Sequence, residues 1–234
     1  MKAQIIYVKG HEGSELQAQR SLDSFKKHNW DAELYEGITP ASLVESDFPY
    51  PDMIGSRMMD FRSQVTPHNI KYFVKKSCVF NNLKFAERVV EADEPMAFIE
   101  HDAICISPMS EDWDFDEFLF YSYEYAFSEP GTLAKAPFNK YPLTGNKGVN
   151  DFPVDYPLRY KHNSLYHGAI QTPGTAAYAL TPKGAKKLLH AAKTHGIEQS
   201  DYIINSYNLR LQYVWSSPVK YNEINLNLSH KLDQ

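Results

Sequence analysis

The chain has 234 residues and a formal net charge of −5, with 43% hydrophobic and 23% charged residues. This composition is that of an ordinary globular domain, so it excludes global disorder. The length fits one large α/β domain or two small ones. The acidic balance argues against a protein that holds nucleic acid mainly through phosphate contacts.

Cysteine content and hydropathy indicate where the protein works. Cys78 and Cys105 are too few for a disulfide framework and lack zinc-site spacing, which favours a reducing compartment. The apolar run over residues 5–8 is too short for a signal peptide, and no later stretch approaches the ~20 apolar residues of a membrane span. We therefore expect a cytoplasmic protein with no membrane span.

The first part of the chain predicts a strand, a helix and a second strand. Residues 3–8 form an apolar run, and apolar side chains then recur at helical spacing up to residue 28, with Ser14 as a possible helix cap. Residues 32–35 predict the second strand. This order is typical of the start of a parallel α/β sheet.

The middle of the chain predicts an irregular stretch over residues 40–70 and then a helix with one apolar face over 79–91. Residues 96–99 are continuously apolar, as in a central strand that is buried on both faces. Further strands are predicted over 121–127, 175–180 and 211–215, and further helices over 182–193 and 201–207.

The acidic pair that follows the central strand is the main chemical feature. Glu100 and Asp102 lie on one side of an extended segment, because side chains alternate. In open parallel sheets, ligands bind beyond the carboxyl ends of strands. Carboxylates there suit Mg²⁺ or Mn²⁺ bound to a diphosphate, whose departure the metal stabilises. The alternative is a solvated acid pair that only ends the strand.

Three stretches, in order along most of the chain, carry a resemblance to a known family. They are residues 77–83 leading into 94–103, residues 174–181 continuing to 184–189, and residues 199–201, with the opening strand, Arg20 and Glu36-Gly37 also in place. On these residues the chain resembles glycosyltransferase family 25, the lipopolysaccharide and collagen galactosyltransferase group. It departs from the family at Asn81-Asn82, where the family has Ser-His, and at His101, where it has Asp.

The resemblance implies an α/β fold of the GT-A type with a mixed, mostly parallel central sheet. It implies a single glycosyltransferase domain, in which residues 1–105 form the donor nucleotide half and 106–234 the acceptor half. The donor is expected to be a nucleotide sugar, with a UDP-sugar as the first expectation. The expected donor-binding residues are Tyr7, Val8, Lys9, Glu36, Glu100, Gly174 and Thr175.

The resemblance also implies a Mn²⁺ or Mg²⁺ ion held by Asp102, with Glu100 acting through water or the donor ribose. His230 is the candidate third ligand, although a lone tail histidine is usually just exposed. Family members are regarded as inverting, so a carboxylate should deprotonate the acceptor hydroxyl. Asp201 is the first candidate and Glu198 the second.

Several of these residues have a simpler interpretation. Asp201 is at an expected helix start, where the helix dipole would lower its pKa and where it could serve only as the N-cap. Tyr7 could stack on the base or lie in the core. Gly174 and Thr175 could admit the sugar close to the backbone, because glycine has no side chain, or form only a turn.

The segment 128–173 is rich in proline and tyrosine and has no periodicity. Long segments of this kind are usually functional or mobile, which favours an acceptor wall or lid; a disordered linker is the alternative. Its tyrosines of interest are Tyr141, Tyr156, Tyr160 and Tyr166.

The sequence therefore predicts a metal-dependent glycosyltransferase that transfers a sugar to a glycan acceptor of a surface polysaccharide or lipo-oligosaccharide. Two alternatives stay open. The same chemistry could act on modified DNA bases or on a protein, with Lys71–Lys76 at the mouth of the site. The chain could also be a sugar- or nucleotide-binding module that has lost catalysis.

Overall fold

A computed structural model describes residues 1–43, 48, 50–110, 113–121, 143–172 and 174–221. The chain begins with strand β1 (Lys2–Tyr7), helix α1 (Glu12–Lys27) and strand β2 (Asp31–Glu36). β1 and β2 pair in parallel, so α1 is the crossover between them. The predicted strand–helix–strand opening is confirmed.

The start of α1 differs from the prediction in its cap. The N-cap is His11, whose Nδ1 accepts a hydrogen bond from the Ser14 amide at 3.1 Å. The Ser14 hydroxyl instead accepts from the Val8 amide at 2.9 Å. Ser14 therefore ties the end of β1 to the first turn of the helix.

Helix α2 (Arg57–Ser63) lies in the region that the sequence predicts to be irregular. It is capped by the Ser56 hydroxyl and buries Met58 and Phe61. Helix α3 (Lys71–Ala92) begins well before the predicted position, because Tyr72 and Val74 are also buried. Strand β3 (Met96–Glu100) follows as predicted, and its first four residues are buried.

The second part of the chain supplies the remaining elements. They are β4 (Ala103–Cys105), β5 (Phe118–Phe120), β6 (Gly148–Asp151), β7 (Ala177–Leu180), α4 (Pro182–His195), α5 (Ser200–Ile203), β8 (Leu211–Trp215) and β9 (Val219–Tyr221).

Several of the predictions for this part can be compared directly with the structure. The predictions for α4 and β8 are confirmed. The strand expected over 121–127 is not observed at Tyr121, which follows β5, and residues 122–127 lie outside the described residues. The helix expected over 201–207 is only one turn long.

The sheet is seven-stranded and mixed, in the order β2-β1-β3-β7-β5-β8-β6. Five strands run in one direction, and β7 and β6 run against them. The α/β class is thus confirmed. The mostly parallel expectation holds for strand direction, but only three of the six neighbouring pairs are parallel, because β7 lies antiparallel between β3 and β5 and β6 pairs antiparallel with β8. The sheet also takes strands from both predicted halves of the chain.

Side chains cover both faces of the sheet. On one face Phe85 of α3 packs on Phe98 and Tyr178 of the central strands. On the other face Phe25 of α1 belongs to the cluster around Ile5 and Ile99. A separate ribbon pairs β4 with β9. Within the described part of the chain, no helix is long and apolar enough to cross a membrane.

The tyrosines of the segment 128–173 differ from their expected role. Tyr156, Tyr160 and Tyr166 are all buried, and Tyr160 and Tyr166 form a small cluster with Met53. Aromatic rings at these positions therefore pack in the core instead of lining an acceptor wall. Tyr141 lies outside the described residues.

Candidate functional site

The candidate site lies at the carboxyl end of β3, between β1 and β7. The Glu100 amide donates to the Ala176 carbonyl at 2.7 Å, which brings the residues before β7 to the end of β3. The Thr175 hydroxyl then donates to Asp201 Oδ1 at 2.9 Å. Three predicted site residues that are far apart in sequence, Glu100, Thr175 and Asp201, are thereby placed at one edge of the sheet.

The charges at this edge strongly perturb Glu100. Burial raises the pKa of Glu100 to about 8, and the negative charges of Asp102 and Asp201 add to the effect, while Lys75 opposes it. Like charges raise a carboxyl pKa in this way only when they are close together. With no added cation, Glu100 therefore holds its proton at neutral pH.

The Asp102 carboxylate is buried and incompletely hydrogen-bonded. Burial raises its pKa, and the His101 imidazole and the backbone amide of Asp102 itself act in the opposite direction. Its Oδ1 is buried and has no hydrogen-bond partner among the described residues. A buried carboxylate oxygen without a partner costs free energy, and a bound cation would remove that cost.

Asp201 behaves differently from the expectation at a helix start. Burial raises its pKa, and the Thr175 hydroxyl and Lys75 only partly offset that rise. The helix that it enters, α5, has four residues, too few for a strong dipole. The N-cap interpretation is also wrong, because the N-cap is Gln199 and the Asp201 carboxylate accepts from Thr175.

Lys75 of α3 is a site residue that the sequence did not identify as a partner of the carboxylates. Its positive charge lowers the pKa of both Glu100 and Asp201. The available signal is the Lys71–Lys76 run, which the sequence suggests only as the mouth of a site for modified DNA bases. Recognising Lys75 requires knowing that α3 begins at Lys71 and packs near α5.

A divalent metal fits these side chains in a limited way. Among the described residues, no group of three or more His, Cys, Asp or Glu side chains is arranged to hold a metal. Mg²⁺ is, however, commonly bound by one or two carboxylates, with water and substrate phosphates completing the shell. Asp102, with its unpartnered oxygen, and Glu100 fit that mode. His230, the predicted third ligand, lies outside the described residues.

Glu198, the second candidate base, is surrounded by donors. It is fully buried. Its Oε2 accepts from the Tyr160 hydroxyl at 2.7 Å and the Arg57 amide at 3.1 Å, and its Oε1 accepts from the Gln199 amide at 2.8 Å. These bonds favour a structural role, in which Glu198 joins the start of α2 to the chain before α5.

The expected donor residues at the ends of β1 and β2 contact one another. Tyr7 is half-buried, and its carbonyl accepts from the Gly37 amide at 2.8 Å. Lys9 and Glu36 form an exposed ion pair at 3.0 Å. Val8, as described above, is held by Ser14. This edge adjoins the end of β3 in the sheet, but none of these contacts joins it to the carboxylates.

Gly174, one of the predicted donor-binding residues, has a clear backbone requirement. Its φ of +111° lies in the region that glycine adopts most readily. It stands directly before Thr175, so this conformation sets the position from which Thr175 reaches Asp201.

The departures from the family pattern at Asn81-Asn82 have structural roles. Asn81 Oδ1 accepts from the Ile38 amide at 2.7 Å, and Asn81 Nδ2 donates to the Ile38 carbonyl at 3.0 Å. Asn82 Oδ1 accepts from the buried Tyr178 hydroxyl. These side chains fasten the loop after β2 and the central strand β7.

His101, the third departure, lies toward the start of α1. Burial and the nearby His11 lower the pKa of His101, whereas Asp102 and a hydrogen bond to the Ile6 backbone raise it. Its neighbours therefore include His11 and the Ile6 backbone at the end of β1 as well as Asp102.

Comparison with known proteins gives no matching family model for this chain, and no curated protein matches it.

Proposed function

We propose that the protein is a metal-dependent glycosyltransferase with a GT-A type fold, similar to glycosyltransferase family 25. The observation that carries the proposal is the convergence of Glu100, Asp102 and Asp201 at the carboxyl end of β3, where Asp102 keeps an unpartnered buried oxygen. In open α/β sheets, ligands bind beyond the carboxyl ends of the strands.

Asp102 and Glu100 are the residues that would hold Mn²⁺ or Mg²⁺. The ion would supply positive charge to the diphosphate of a nucleotide sugar. Its binding would also favour ionised Glu100, because an adjacent cation lowers a carboxyl pKa. Lys75 already contributes a positive charge to the same region, so the protein itself offsets part of the repulsion.

Asp201 is the proposed general base. The acceptor hydroxyl oxygen attacks the anomeric carbon, the bond from that carbon to the diphosphate breaks, and the hydroxyl proton passes to the Asp201 carboxylate. A raised pKa makes Asp201 a better base than an ordinary aspartate. The Thr175 hydroxyl orients it through Oδ1.

Nucleoside diphosphate release tests the proposal. Purified protein is incubated with Mn²⁺ and a panel of nucleotide sugars, and Asp102→Asn is compared with the parent. A metal supplies several kcal/mol of charge stabilisation, so the variant is expected to lose at least about 100-fold in turnover. The matched control is Asp31→Asn, which should retain activity. Asp31 is an exposed aspartate at the start of β2, the end of that strand away from the candidate site.

Two results would contradict the proposal. Full turnover by Asp102→Asn would remove the metal assignment. Donor binding without turnover across the whole panel would favour a module that binds sugars or nucleotides without catalysis.

A further inference from the structure

We propose that the acceptor is an acidic saccharide and that it binds along a strip of alternating basic and aromatic side chains beside Asp201. This inference rests on the proposed function, because it assigns the acceptor subsite of the same site. The strip, called here the cation–aromatic strip, consists of His162, Tyr202, Arg57, Phe61 and Lys71.

Distances establish the strip as a continuous series. The rings of His162 and Tyr202 lie 5.2 Å apart. Arg57 Cζ lies 6.0 Å from the Tyr202 ring and 5.6 Å from the Phe61 ring, and Lys71 Nζ lies 5.3 Å from the Phe61 ring. Cations at these distances interact favourably with ring faces, so each of these contacts is favourable without a ligand.

The strip begins at the proposed base. Tyr202 directly follows Asp201 in α5. Burial raises the pKa of Tyr202, the negative charge of Asp201 adds to that rise, and the positive charge of Arg57 opposes it. A sugar ring stacked on the partly exposed Tyr202 would therefore bring its hydroxyls close to Asp201. Flat rings with a polar edge are well suited to binding sugars.

The basic groups of the strip are available for an anion. Within the described part of the chain, neither Arg57 nor Lys71 forms a salt bridge, whereas Arg62 of the same helix pairs with Asp52 at 3.1 Å. Two carboxylates lie nearby: that of Glu198 is occupied by its three donors, and that of the exposed Asp60 acts on His162. Guanidinium and ammonium groups bind carboxylate or phosphate through charge-assisted hydrogen bonds. One anionic group on the acceptor could bind to the side chains of Arg57 and Lys71.

The small number of cations favours a saccharide over a nucleic acid. Phe61 is buried, with 8% of its surface exposed, so Tyr202 and His162 offer the accessible rings. Burial and the positive charge of Arg57 lower the pKa of His162, whereas Glu198 and Asp60 raise it. The permanent charges in the strip are therefore those of Arg57 and Lys71. A nucleic acid is held through several phosphate contacts, and the chain has a net charge of −5.

Binding of three disaccharides tests this inference. Glucuronyl-glucose, the phosphorylated disaccharide cellobiose 6′-phosphate and neutral cellobiose are titrated into the full chain by calorimetry, without nucleotide donor. At least one acidic disaccharide is expected to bind about tenfold more tightly than cellobiose, which corresponds to about 1.4 kcal/mol. The carboxylate and phosphate arms show which acidic group is preferred.

Variants assign that preference to the strip. Arg57→Gln and Lys71→Gln should each reduce the difference between acidic and neutral disaccharides, while Tyr202→Ala should weaken both. Arg62→Gln on the same helix is the control and should leave the affinities unchanged. Thermal unfolding followed by circular dichroism verifies that each variant is folded, and the two glutamine variants keep the backbone contact of Arg57 with Glu198.

Equal affinity for acidic and neutral disaccharides would overturn the inference, as would full preference in both glutamine variants. Tighter binding of a short single-stranded oligonucleotide than of any disaccharide would also overturn it and favour a nucleic-acid acceptor. Because donor turnover is measured separately, loss of the acidic preference with retained Mn²⁺-dependent turnover would contradict only the strip. An acidic preference without Mn²⁺-dependent turnover would contradict the proposed transfer and would leave the strip as a saccharide-binding surface without an acceptor role.

Discussion

The Glu100 carboxyl carries a cost in the folded protein that depends on pH. Its folded pKa of about 8 exceeds the ordinary value of 4.5. The unfolded chain therefore releases this proton at lower pH than the folded chain does. The contribution of the protonated Glu100 carboxyl to the free energy of unfolding is fully present below its ordinary pKa of 4.5, and it is lost as the pH rises toward 8.

Glu100→Gln should consequently flatten the pH dependence of stability. Without divalent metal, parent and variant should have similar unfolding free energies near pH 4. At pH 9 the variant should be more stable by a few kcal/mol, since one pKa unit corresponds to about 1.4 kcal/mol. Urea denaturation in a chelating buffer measures this. Glu91→Gln, at an exposed position of α3, is the control, and parallel pH profiles for parent and Glu100→Gln would contradict the prediction.

Glu198 should respond to substitution as a structural residue. Glu198→Gln replaces one carboxylate oxygen by an amide that faces the donors Arg57, Tyr160 and Gln199. Hydrogen bonds to a buried charge are worth about 1.5–3 kcal/mol each, so a loss of about 3 kcal/mol or more is expected in denaturant unfolding. An unchanged midpoint with lost transfer would instead make Glu198 the base.

The sequence could predict part of the site because the end of a buried strand can be recognised from the sequence. The rule that ligands bind at the carboxyl ends of strands pointed to Glu100 and Asp102, and the family resemblance added Thr175 and Asp201. The direction of the Asp201 pKa shift could not be predicted, because burial is a property of the assembled molecule. The role of Lys75 depended in the same way on where α3 begins.

At the scale of single elements, α4 shows how closely one helix can approach the chain beside it. The Thr181 hydroxyl caps the helix by accepting from the Gly184 amide at 3.1 Å, and it donates to the Asp116 carbonyl at 2.8 Å. A Cβ atom at Gly184 would lie 2.1 Å from the Glu117 carbonyl oxygen. The first turn therefore needs glycine because backbone occupies that space.

Gly184→Ala should destabilise the protein strongly. The added methyl group meets backbone that cannot rotate away, so we expect a loss of about 3 kcal/mol, at the upper end of overpacking effects. Lys186→Ala, at an exposed position of the same helix, should stay within about 0.5 kcal/mol. Thermal and denaturant unfolding of the two variants measure the difference, and equal stabilities would show that α4 can shift away.

Elements with strong periodicity were predictable, and short ones were not. The opening strand–helix–strand, α4 and β8 have patterns that local burial enforces. α2 has seven residues, too few for a helical period, β4 and β9 have three each, too few for an apolar run or an alternation, and no residue of β6 is fully buried. The antiparallel direction of β7 could not be read from its sequence, because an apolar run is the same in either direction.

At the scale of the whole molecule, β7 joins two groups of strands. β2, β1 and β3 lie on one side of it and β5, β8 and β6 on the other. All four of its residues are buried, and the ring of Tyr178 packs on Phe98 of β3 and Phe118 of β5. Without β7 both groups expose an unpaired apolar edge.

A chain shortened after residue 174 should therefore lose cooperative folding. It keeps β1, β3 and β5 but lacks β7, which pairs with β3 and β5, together with α4, α5, β8 and β9, so thermal unfolding followed by circular dichroism should show no sharp transition. A chain shortened after residue 221, which retains every described element, is the control and should unfold cooperatively. A sharp transition in the shorter chain would show that the β2-β1-β3 group folds independently.

The late position of β7 in the chain also has a consequence for biosynthesis. During synthesis β3 (Met96–Glu100) and β5 (Phe118–Phe120) leave the ribosome well before β7 (Ala177–Leu180), the strand that completes the middle of the sheet. Until then the nascent chain exposes the β3 and β5 edges, which invites association with other chains. Slow elongation or stalling ahead of this point should make the protein dependent on chaperones that bind apolar strands.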